Sequence, residues 1–215
     1  MKKSIHFLLV ILLGSCNGSF CPDDRKVGDL SLTANTKSFN PYDSESRLVF
    51  ENEAGDSLVF QSTNGLEESM DRLCINKLCT EPKIKGNSTC EYYDSEANRL
   101  VFFSEAQNAT IDFLLFSDVV AEDQAQFFQA MRIGFSGLNA SALAGIVSDS
   151  IDASNISREN ISIRNYFSFI GTVELNDRTF EEVYAFEEFN TTIYYNKRKG
   201  FLGFDTNEMT WTLKE

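Results

Sequence analysis

The sequence predicts a mainly β fold, an antiparallel, strongly bent sheet or open barrel with one or two short helices. Apolar and polar residues alternate over many short runs, such as Leu48–Phe50 and Leu58–Phe60, and this period places one face of a strand in a core. Short polar turns separate most of these runs, which favours antiparallel neighbours. With 19 phenylalanines and 42% hydrophobic residues, the chain is a globular one rather than a disordered one.

The alternation sets the expected strands and their buried side chains. In chain order the strands are Leu48–Phe50, Leu58–Phe60, Leu100–Phe103, Ile111–Phe116, Ile161–Leu175, Thr179–Phe186, Ile193–Tyr195, Phe201–Phe204 and Met209–Leu213. The run Ile161–Leu175 exceeds the usual strand length, so we expect a bend or bulge near Asn165 or Gly171. Phe167, Phe169 and Trp211 are expected to be buried.

Two segments between these strands carry helical spacing. In Ser141–Ile151 the apolar residues Leu143, Ile146, Val147 and Ile151 follow the period of one helix face. We therefore expect a short helix there that packs against the sheet. The segment 121–135 fits either a helix or a strand, because its apolar spacing is compatible with both.

A short pattern occurs twice in the first half of the chain. Tyr42–Phe50 and Tyr93–Phe102 share the order Tyr-Asp-Ser-Glu, then Arg-Leu-Val-Phe. One interpretation is a pair of equivalent binding hairpins. We favour two hairpins of one antiparallel meander, because two copies are too few for a repeat architecture.

The N-terminus predicts export and a lipid anchor. Two lysines precede the apolar run Phe7–Leu13, which is far shorter than the ~20 residues of a transmembrane helix. Leu13-Gly14-Ser15 stands directly before Cys16, the pattern of a bacterial lipoprotein signal, in which this cysteine is acylated. An ordinary cleaved secretory signal is the alternative interpretation. We expect residues 1–15 to be a signal peptide, 16–39 a lipidated tether and 40–215 a single antiparallel β domain.

Charge and composition exclude several classes of function. The formal net charge is −13, and removal of the signal with its two lysines makes it −15, so nucleic acid is not an expected partner. The single histidine, His6, lies in the signal, so a Ser-His-Asp triad and a histidine-containing zinc site are both excluded from the mature protein. We expect no metal and no cofactor.

The cysteines indicate disulfides in an oxidising compartment. Apart from Cys16, the chain has Cys21, Cys74, Cys79 and Cys90, an even number that allows two bridges in three pairings. Cys79 and Cys90 flank a turn-like segment, which would leave Cys21 to pair with Cys74. A bridge between Cys74 and Cys90 is nearly as plausible, and we expect one bridge to close this region.

Three functions remain open at this point. The first is a binding or accessory module, anchored to the bilayer through Cys16, with an apolar ligand or an envelope protein as its partner. The second is a carboxylate-dependent hydrolase such as a glycosidase, but Glu181-Glu182 and Glu187-Glu188 are neighbours in sequence and would point to opposite faces of a strand. The third is a purely structural envelope protein. We expect no enzyme and no catalytic residue.

The C-terminal quarter resembles a known group of proteins. Tyr194-Tyr195-Asn196-Lys197, Gly200-Phe201-Leu202-Gly203-Phe204 and Thr210-Trp211-Thr212-Leu213 are similar to the closing hairpin of small, uncharacterised lipoproteins of the Bacteroidetes group. This resemblance implies an exported antiparallel β-protein in the outer membrane. The resemblance also implies that surface export follows from an acidic run just after the lipidated cysteine. Residues 17–20 lack that run, so we expect the protein to face the periplasm.

We predict that Cys16 is the mature N-terminus and carries fatty acid, because the small residues before it are those that a lipoprotein signal peptidase accepts. Mass spectrometry of the native protein should show an acylated N-terminal peptide that begins at Cys16. In a Cys16→Ala variant, maturation should be blocked or the protein released from the membrane. An unmodified N-terminus at another residue would contradict the anchor.

Overall fold

The computed structural model describes residues 21–43, 46–80, 88–119, 126–150, 163–206 and 209–214. The described residues form thirteen strands in one sheet, and one short helix. The elements are β1 Arg25–Leu30, α1 Ala34–Lys37, β2 Arg47–Asn52, β3 Ser57–Ser62, β4 Glu67–Thr80, β5 Ser88–Ser104, β6 Ala109–Val119, β7 Phe127–Gly137, β8 Ala140–Ser150, β9 Ser168–Leu175, β10 Arg178–Glu188, β11 Thr191–Asn196, β12 Gly200–Asp205 and β13 Thr210–Leu213.

The sheet is mainly antiparallel and curls into an open half-barrel, so the predicted fold class is confirmed. Its strand order is β8-β7-β6-β5-β3-β2-β13-β12-β11-β10-β9, with β1 and β4 both paired to β5. The curl brings β8 close to the opposite side of the sheet. The Gly145 amide donates to the Asn165 carbonyl at 3.0 Å, and the Phe167 amide donates to the Gly145 carbonyl at 3.2 Å. The two sides of the sheet therefore meet at this point.

The concave face holds the main core, and aromatic side chains dominate it. Edge-to-face contacts link the rings, for example Phe50 with Phe60 at 5.7 Å and with Phe201 at 5.8 Å between ring centroids. Such contacts add to the free energy of burial. The fully or almost fully buried phenylalanines and tyrosine of this core are Phe50, Phe60, Phe102, Phe113, Phe135, Tyr195, Phe201 and Phe204. The alternation of apolar and polar residues that predicted the strands thus corresponds to side chains that point alternately into the core and to the outer face.

A second apolar cluster lies on the convex face, under the β9–β10 hairpin. Leu175, Phe180 and Val183 of this hairpin pack on Leu202 of β12, which is completely buried. The pairing of β9 with β10 is irregular around Val183, opposite Gly171, whose φ is 82°. A bulge bends a strand, so the predicted irregularity near Gly171 is confirmed, and the bent hairpin covers the outer face.

The N-terminal segment closes one end of the curled sheet. Leu32 and Phe39 are buried in the main core, and the Tyr195 hydroxyl donates to the Phe39 carbonyl at 2.5 Å. The Phe201 amide donates to the Tyr42 hydroxyl at 2.6 Å. We call Ser31–Tyr42, which includes α1, the N-terminal plug.

The expected tether, residues 16–39, is therefore part of the folded domain from Cys21 onward. Its strand β1 pairs in parallel with β5, and its plug fills the sheet end. The segment resembles a tether in sequence because many of its residues are polar. In the structure, these polar side chains form hydrogen bonds within the domain. Thr33 accepts from the Thr36 amide and donates to the Asp149 carboxylate at 3.0 Å. Cys16 to Phe20 lie outside the described residues.

The plug also depends on one close approach. Gly200 has φ 82°, and an added Cβ there would lie 2.0 Å from the Tyr42 hydroxyl oxygen. Glycine is therefore required, both for its backbone conformation and for the space that the tyrosine ring occupies.

Both disulfides lie in a long ribbon made by β1, β4 and the first half of β5, which we call the disulfide arm. The bridges join Cys21 to Cys79 and Cys74 to Cys90. The Cys74–Cys90 alternative is thus correct, and the pairing of Cys79 with Cys90 is wrong. Irregular pairing between Cys74 and Asn76 and between Lys77 and Cys79 shifts the side chains of β4, which brings Cys74 to Cys90 and leaves Cys79 for the N-terminal segment. The sequence does not predict strand β4, because its residues are too polar to show a clear alternation.

The helix expected at Ser141–Ile151 is wrong, because residues 140–150 form strand β8. Its inward positions are the small residues Ala142 and Ala144, which weaken the strand pattern. Ile146 and Val147 are both partly buried because Ile163 and Tyr166 also cover the outer face here. A strand that is covered on both faces can have apolar residues at successive positions, and here the spacing of these apolar residues resembles that of a helix face. The ambiguous segment 121–135 is a strand from Phe127, and residues 120–125 lie outside the described part.

The expected strand Ile161–Leu175 begins only at Ser168. Ile161 is outside the described residues, and Asn165 lies in a bend beside β8. Phe167 and Trp211 are buried, as predicted, but Phe169 is 63% exposed. The prediction for Phe169 is wrong because β9 is the last strand of the sheet, so the ring contacts Tyr184 on one side only.

We predict that Phe167→Ala lowers the free energy of unfolding by about 3–5 kcal/mol, because it leaves a cavity in the core. The same change at Phe169 removes a mostly exposed ring and should cost less than about 1 kcal/mol. Urea denaturation of both variants measures the difference. Equal losses for the two variants would contradict the assignment of Phe169 to an exposed edge.

We predict that Glu96 makes stability depend on pH. Burial alone would raise the pKa of Glu96, but the Lys37 ammonium at 2.7 Å and the Leu32 amide at 2.9 Å bind the carboxylate and together lower its pKa. The stabilisation is then complete above the ordinary carboxyl pKa and is lost as pH falls through the lowered value.

Glu96→Gln should therefore lower stability at pH 7 by about 0.5–1 kcal/mol, as expected for a partly exposed ion pair, and should equal the wild type at acid pH. Glu105→Gln is the control, because Glu105 is an exposed turn residue without an ion pair in the described part of the chain. Denaturation series at several pH values measure both variants. A Glu96→Gln deficit that persists in acid would contradict the charge pair.

Candidate functional site

Several turns meet at the end of the sheet opposite the N-terminal plug, and they enclose a groove. Two cavities of about 590 and 280 Å³ adjoin there, and Leu138, Asn139 and Thr206 line both. We call this the loop-end groove. The other lining residues are Asn52, Asp56, Ser57, Leu58, Val59, Ala106, Gln107, Ala140, Ser141, Phe189, Asn190, Thr191, Met209 and Trp211.

The floor of the groove is packed and hydrogen-bonded. Trp211 is 7% exposed and stacks on Phe204 with 6.2 Å between ring centroids. Asn52 is also buried, and its side-chain oxygen accepts from the Asp56 amide at 2.8 Å. Its amide nitrogen donates to the Asp56 carboxylate at 3.0 Å and to the Met209 sulfur at 3.3 Å. One asparagine thus joins the β2–β3 turn to the β12–β13 turn.

Two apolar residues in these turns have backbone conformations that side chains disfavour. Leu138 has φ 55° in the two-residue turn between β7 and β8, and Phe189 has φ 53° in the two-residue turn between β10 and β11. Glycine, asparagine and aspartate are the usual residues at such positions. Leu138 packs against the main core, which offsets its strain. Phe189 is 87% exposed, so no burial offsets the strain at Phe189.

The groove and the disulfide arm lie at opposite ends of one strand. β5 begins at Ser88 beside Cys90 and ends at Ser104, directly before the turn that carries Ala106 and Gln107. At about 3.3 Å per residue, its 17 residues span roughly 50 Å. The groove therefore faces away from the end at which the N-terminal segment leaves the domain.

Of the acidic pairs singled out in the sequence, Glu181-Glu182 lines a different pocket. The pair Glu187-Glu188 lies directly before Phe189, and Glu188 pairs with Thr191 of the groove. Glu182 has φ 54°, and this irregularity lets Glu181 and Glu182 line the same shallow pocket with Arg198 and Lys199. The expectation that these two neighbours point to opposite faces is thus wrong. Glu188 accepts from the Leu143 amide at 3.3 Å, and Glu187 is exposed beside it.

The titration shifts of the tyrosines belong to the packing of the sheet. Burial raises the pKa of Tyr42 and of Tyr195, and both hydroxyls hold the N-terminal plug. Burial and the Asp205 carboxylate, which accepts from Tyr194 at 2.5 Å, raise the pKa of Tyr194. These hydroxyls stay protonated at neutral pH and act as hydrogen-bonding groups.

The described residues hold no group of three or more His, Cys, Asp or Glu side chains that could bind a metal ion. In the same ranges, helices never reach the length and apolar character that a membrane span requires. No protein-family model matches the sequence, and comparisons with curated proteins and with solved structures gave no match either.

Sequence reasoning missed the groove, because its residues come from separate turns that only the curl brings together. One signal was present. In Glu188-Phe189-Asn190-Thr191, an aromatic residue occupies a turn between two strands, where polar residues and glycine are usual.

Proposed function

We propose that this protein is a lipid-anchored, non-catalytic binding protein of the outer membrane that faces the periplasm and holds a protein partner in its loop-end groove. The lipoprotein signal before Cys16 and the similarity to Bacteroidetes lipoproteins support the anchor and the compartment. The groove supports the binding role.

Phe189 carries the proposal. An aromatic side chain that is 87% exposed gains little from the hydrophobic effect in the free protein. Its left-handed backbone costs stability as well. A residue whose backbone is strained and whose ring does not repay that strain by burial indicates a role in binding, because strained residues cluster at functional sites. Buried aromatic anchors are also the side chains that contribute most to protein interfaces.

The placement of the anchor fits the same role. Cys16 lies five residues before Cys21, so its acyl chains are at most about 18 Å from the disulfide arm. The groove is at the far end of β5. A lipid at Cys16 would thus hold the arm at the bilayer and present the groove to a partner in the periplasm.

A macromolecular partner fits this groove better than an enclosed apolar ligand. Carriers of apolar molecules keep an open barrel interior, whereas aromatic side chains of the main core fill the interior here. The groove is open and combines Trp211, Met209 and Phe189 with amide side chains of the surrounding turns. An apolar centre with a polar rim is typical of protein interfaces.

We predict that Phe189→Asn abolishes partner binding and raises stability by about 0.5–1 kcal/mol, because asparagine tolerates the left-handed conformation. Binding is measured in living cells with a photo-crosslinking amino acid at Gln107, an exposed residue of the groove rim. Stability is measured by denaturation of the purified protein.

The matched control is Phe169→Asn, which changes another exposed phenylalanine outside the groove and should leave crosslinking unchanged. A crosslinker at Met70 of the disulfide arm should give no product of the same mass. A crosslink at Gln107 that survives Phe189→Asn, or a loss of stability in that variant, would contradict the proposal.

A further inference from the structure

The curled sheet closes only in part along the seam between β8 and the β9–β10 side. Main-chain bonds close it at Gly145, whose amide donates to the Asn165 carbonyl at 3.0 Å and whose carbonyl accepts from the Phe167 amide at 3.2 Å. From there towards the loop end, β8 pairs with β7 alone among the described residues. The opposite edge of β8 is therefore open over residues 140–144, which we call the β8 edge.

Two residues of the β8 edge direct their main-chain groups away from β7. Successive residues of a strand present these groups to alternate sides. Gly145 presents its groups to the seam, so Leu143 and Ser141 do the same. The Glu188 carboxylate accepts from the Leu143 amide at 3.3 Å, and the Asn165 side chain donates to the Leu143 carbonyl at 3.0 Å. The main chain of Ser141 has no strand partner on this side in the described part of the protein.

The strand across the seam is unpaired at the same level. β9 pairs with β10 only as far as Ala185, opposite Ser168, so residues 186–188 have no β9 partner within the described ranges. β8 and β10 thus approach each other here without main-chain bonds, and the Glu188 side chain joins them. A gap between two strand edges that side chains bridge is a place where another strand can pair.

A pocket lies on each face of the β8 edge, and Ser141 borders both. One is the smaller cavity of the loop-end groove, which Phe189 also lines. The other, of about 320 Å³, lies on the convex face and is lined by Leu143 and Gly134. Side chains of a strand alternate between its two faces. A strand added to this edge would therefore place successive side chains in the two pockets.

The sequence of the β8 edge lacks the devices that usually keep strand edges apart. Exposed edges commonly carry charges, proline or bulges. The edge Ala140-Ser141-Ala142-Leu143-Ala144 is uncharged and pairs with β7 in regular register. Leu143 is 48% exposed, so an apolar side chain directly opposite it would bury part of its surface.

From this arrangement we propose that the partner of the loop-end groove binds by strand addition. An extended segment of that partner hydrogen-bonds to the β8 edge and displaces the Glu188 carboxylate from the Leu143 amide. This inference rests on the proposed binding function and specifies how the same site recognises its partner. Main-chain bonds give such a segment affinity, and pockets for alternate side chains give it selectivity. The segment carries an apolar side chain opposite Leu143.

The test uses the full chain in living cells, with the crosslink from Gln107 as its readout. Ser141→Pro removes the amide hydrogen that the β8 edge offers to a partner strand, and the proline ring obstructs the position beside it. The pairing of β8 with β7 does not use this hydrogen, so the fold should be kept. We expect the crosslink to the partner to fall at least tenfold.

Ser88→Pro is the matched control. It places proline at the exposed first residue of β5, in the disulfide arm and outside the groove, where a strand tolerates proline. This variant should leave the crosslink unchanged. Thermal unfolding of both purified variants confirms that they fold.

A second measurement does not depend on a proline variant. Photo-crosslinking amino acids are placed singly at Ser141 and Leu143, and the linked partner peptides are identified by mass spectrometry. Both side chains lie on the convex face, so strand addition requires that the two sites link to one continuous segment, at residues about two positions apart. If Ser141→Pro unfolds, these links decide alone.

A Gln107 crosslink that is lost in Phe189→Asn but survives in Ser141→Pro would overturn strand addition and leave the proposed function intact. Links from Ser141 and Leu143 to unrelated segments of the partner would overturn it in the same way. A product that contains two copies of this chain would show self-association and would overturn the assignment to a partner protein. The absence of any crosslink at Gln107 would overturn the proposed function and, with it, this inference.

Discussion

The hydrogen bond from the Tyr195 hydroxyl to the Phe39 carbonyl, 2.5 Å long, seals the interior of the curled sheet. Phe39 is 3% exposed, and a buried carbonyl without a partner would cost about 1–3 kcal/mol. Burial raises the pKa of Tyr195, so the hydroxyl keeps the proton that it donates. An uncovered end would expose the aromatic side chains inside the curled sheet to water, and their burial is favourable. The N-terminal plug covers this end and contributes Leu32 and Phe39 to the core, although the segment as a whole is polar.

Apolar side chains on the convex face of the sheet also need to be shielded from water. A single curled sheet would expose the outer side of β12, where Leu202 lies, and the bent β9–β10 hairpin covers it. The bend needs the irregular pairing around Val183 and Gly171. It also places the tip of the hairpin over β2 and β13, where the Asn176 amide donates to the Glu51 and Thr210 carbonyls. One irregularity in the hairpin therefore lets it cover Leu202 and hydrogen-bond to the sheet at its tip.

The turns at the loop end lie away from the N-terminal plug, and one of them carries Phe189, which is both strained and exposed. The core strands are held from both faces, so a costly residue such as Phe189 is tolerated. The opposite end carries both disulfides and the path to Cys16. The two disulfides thus lie at one end of the sheet, and the surface proposed for binding lies at the other.

The sequence by itself determined the antiparallel class, the strands from β2 to β13 that alternate clearly, the burial of Phe167 and Trp211, and the possibility of two disulfides. Local alternation suffices where one face of a strand is buried and the other is wet. Tertiary structure decided β8, because Ala142 and Ala144 are small and both faces are covered, and it exposed Phe169 by placing β9 at an edge. It also decided the cysteine pairing through bulges in β4. The loop-end groove came from tertiary structure alone, since it joins side chains from turns and strands far apart in the chain, and only the curl of the sheet brings them together.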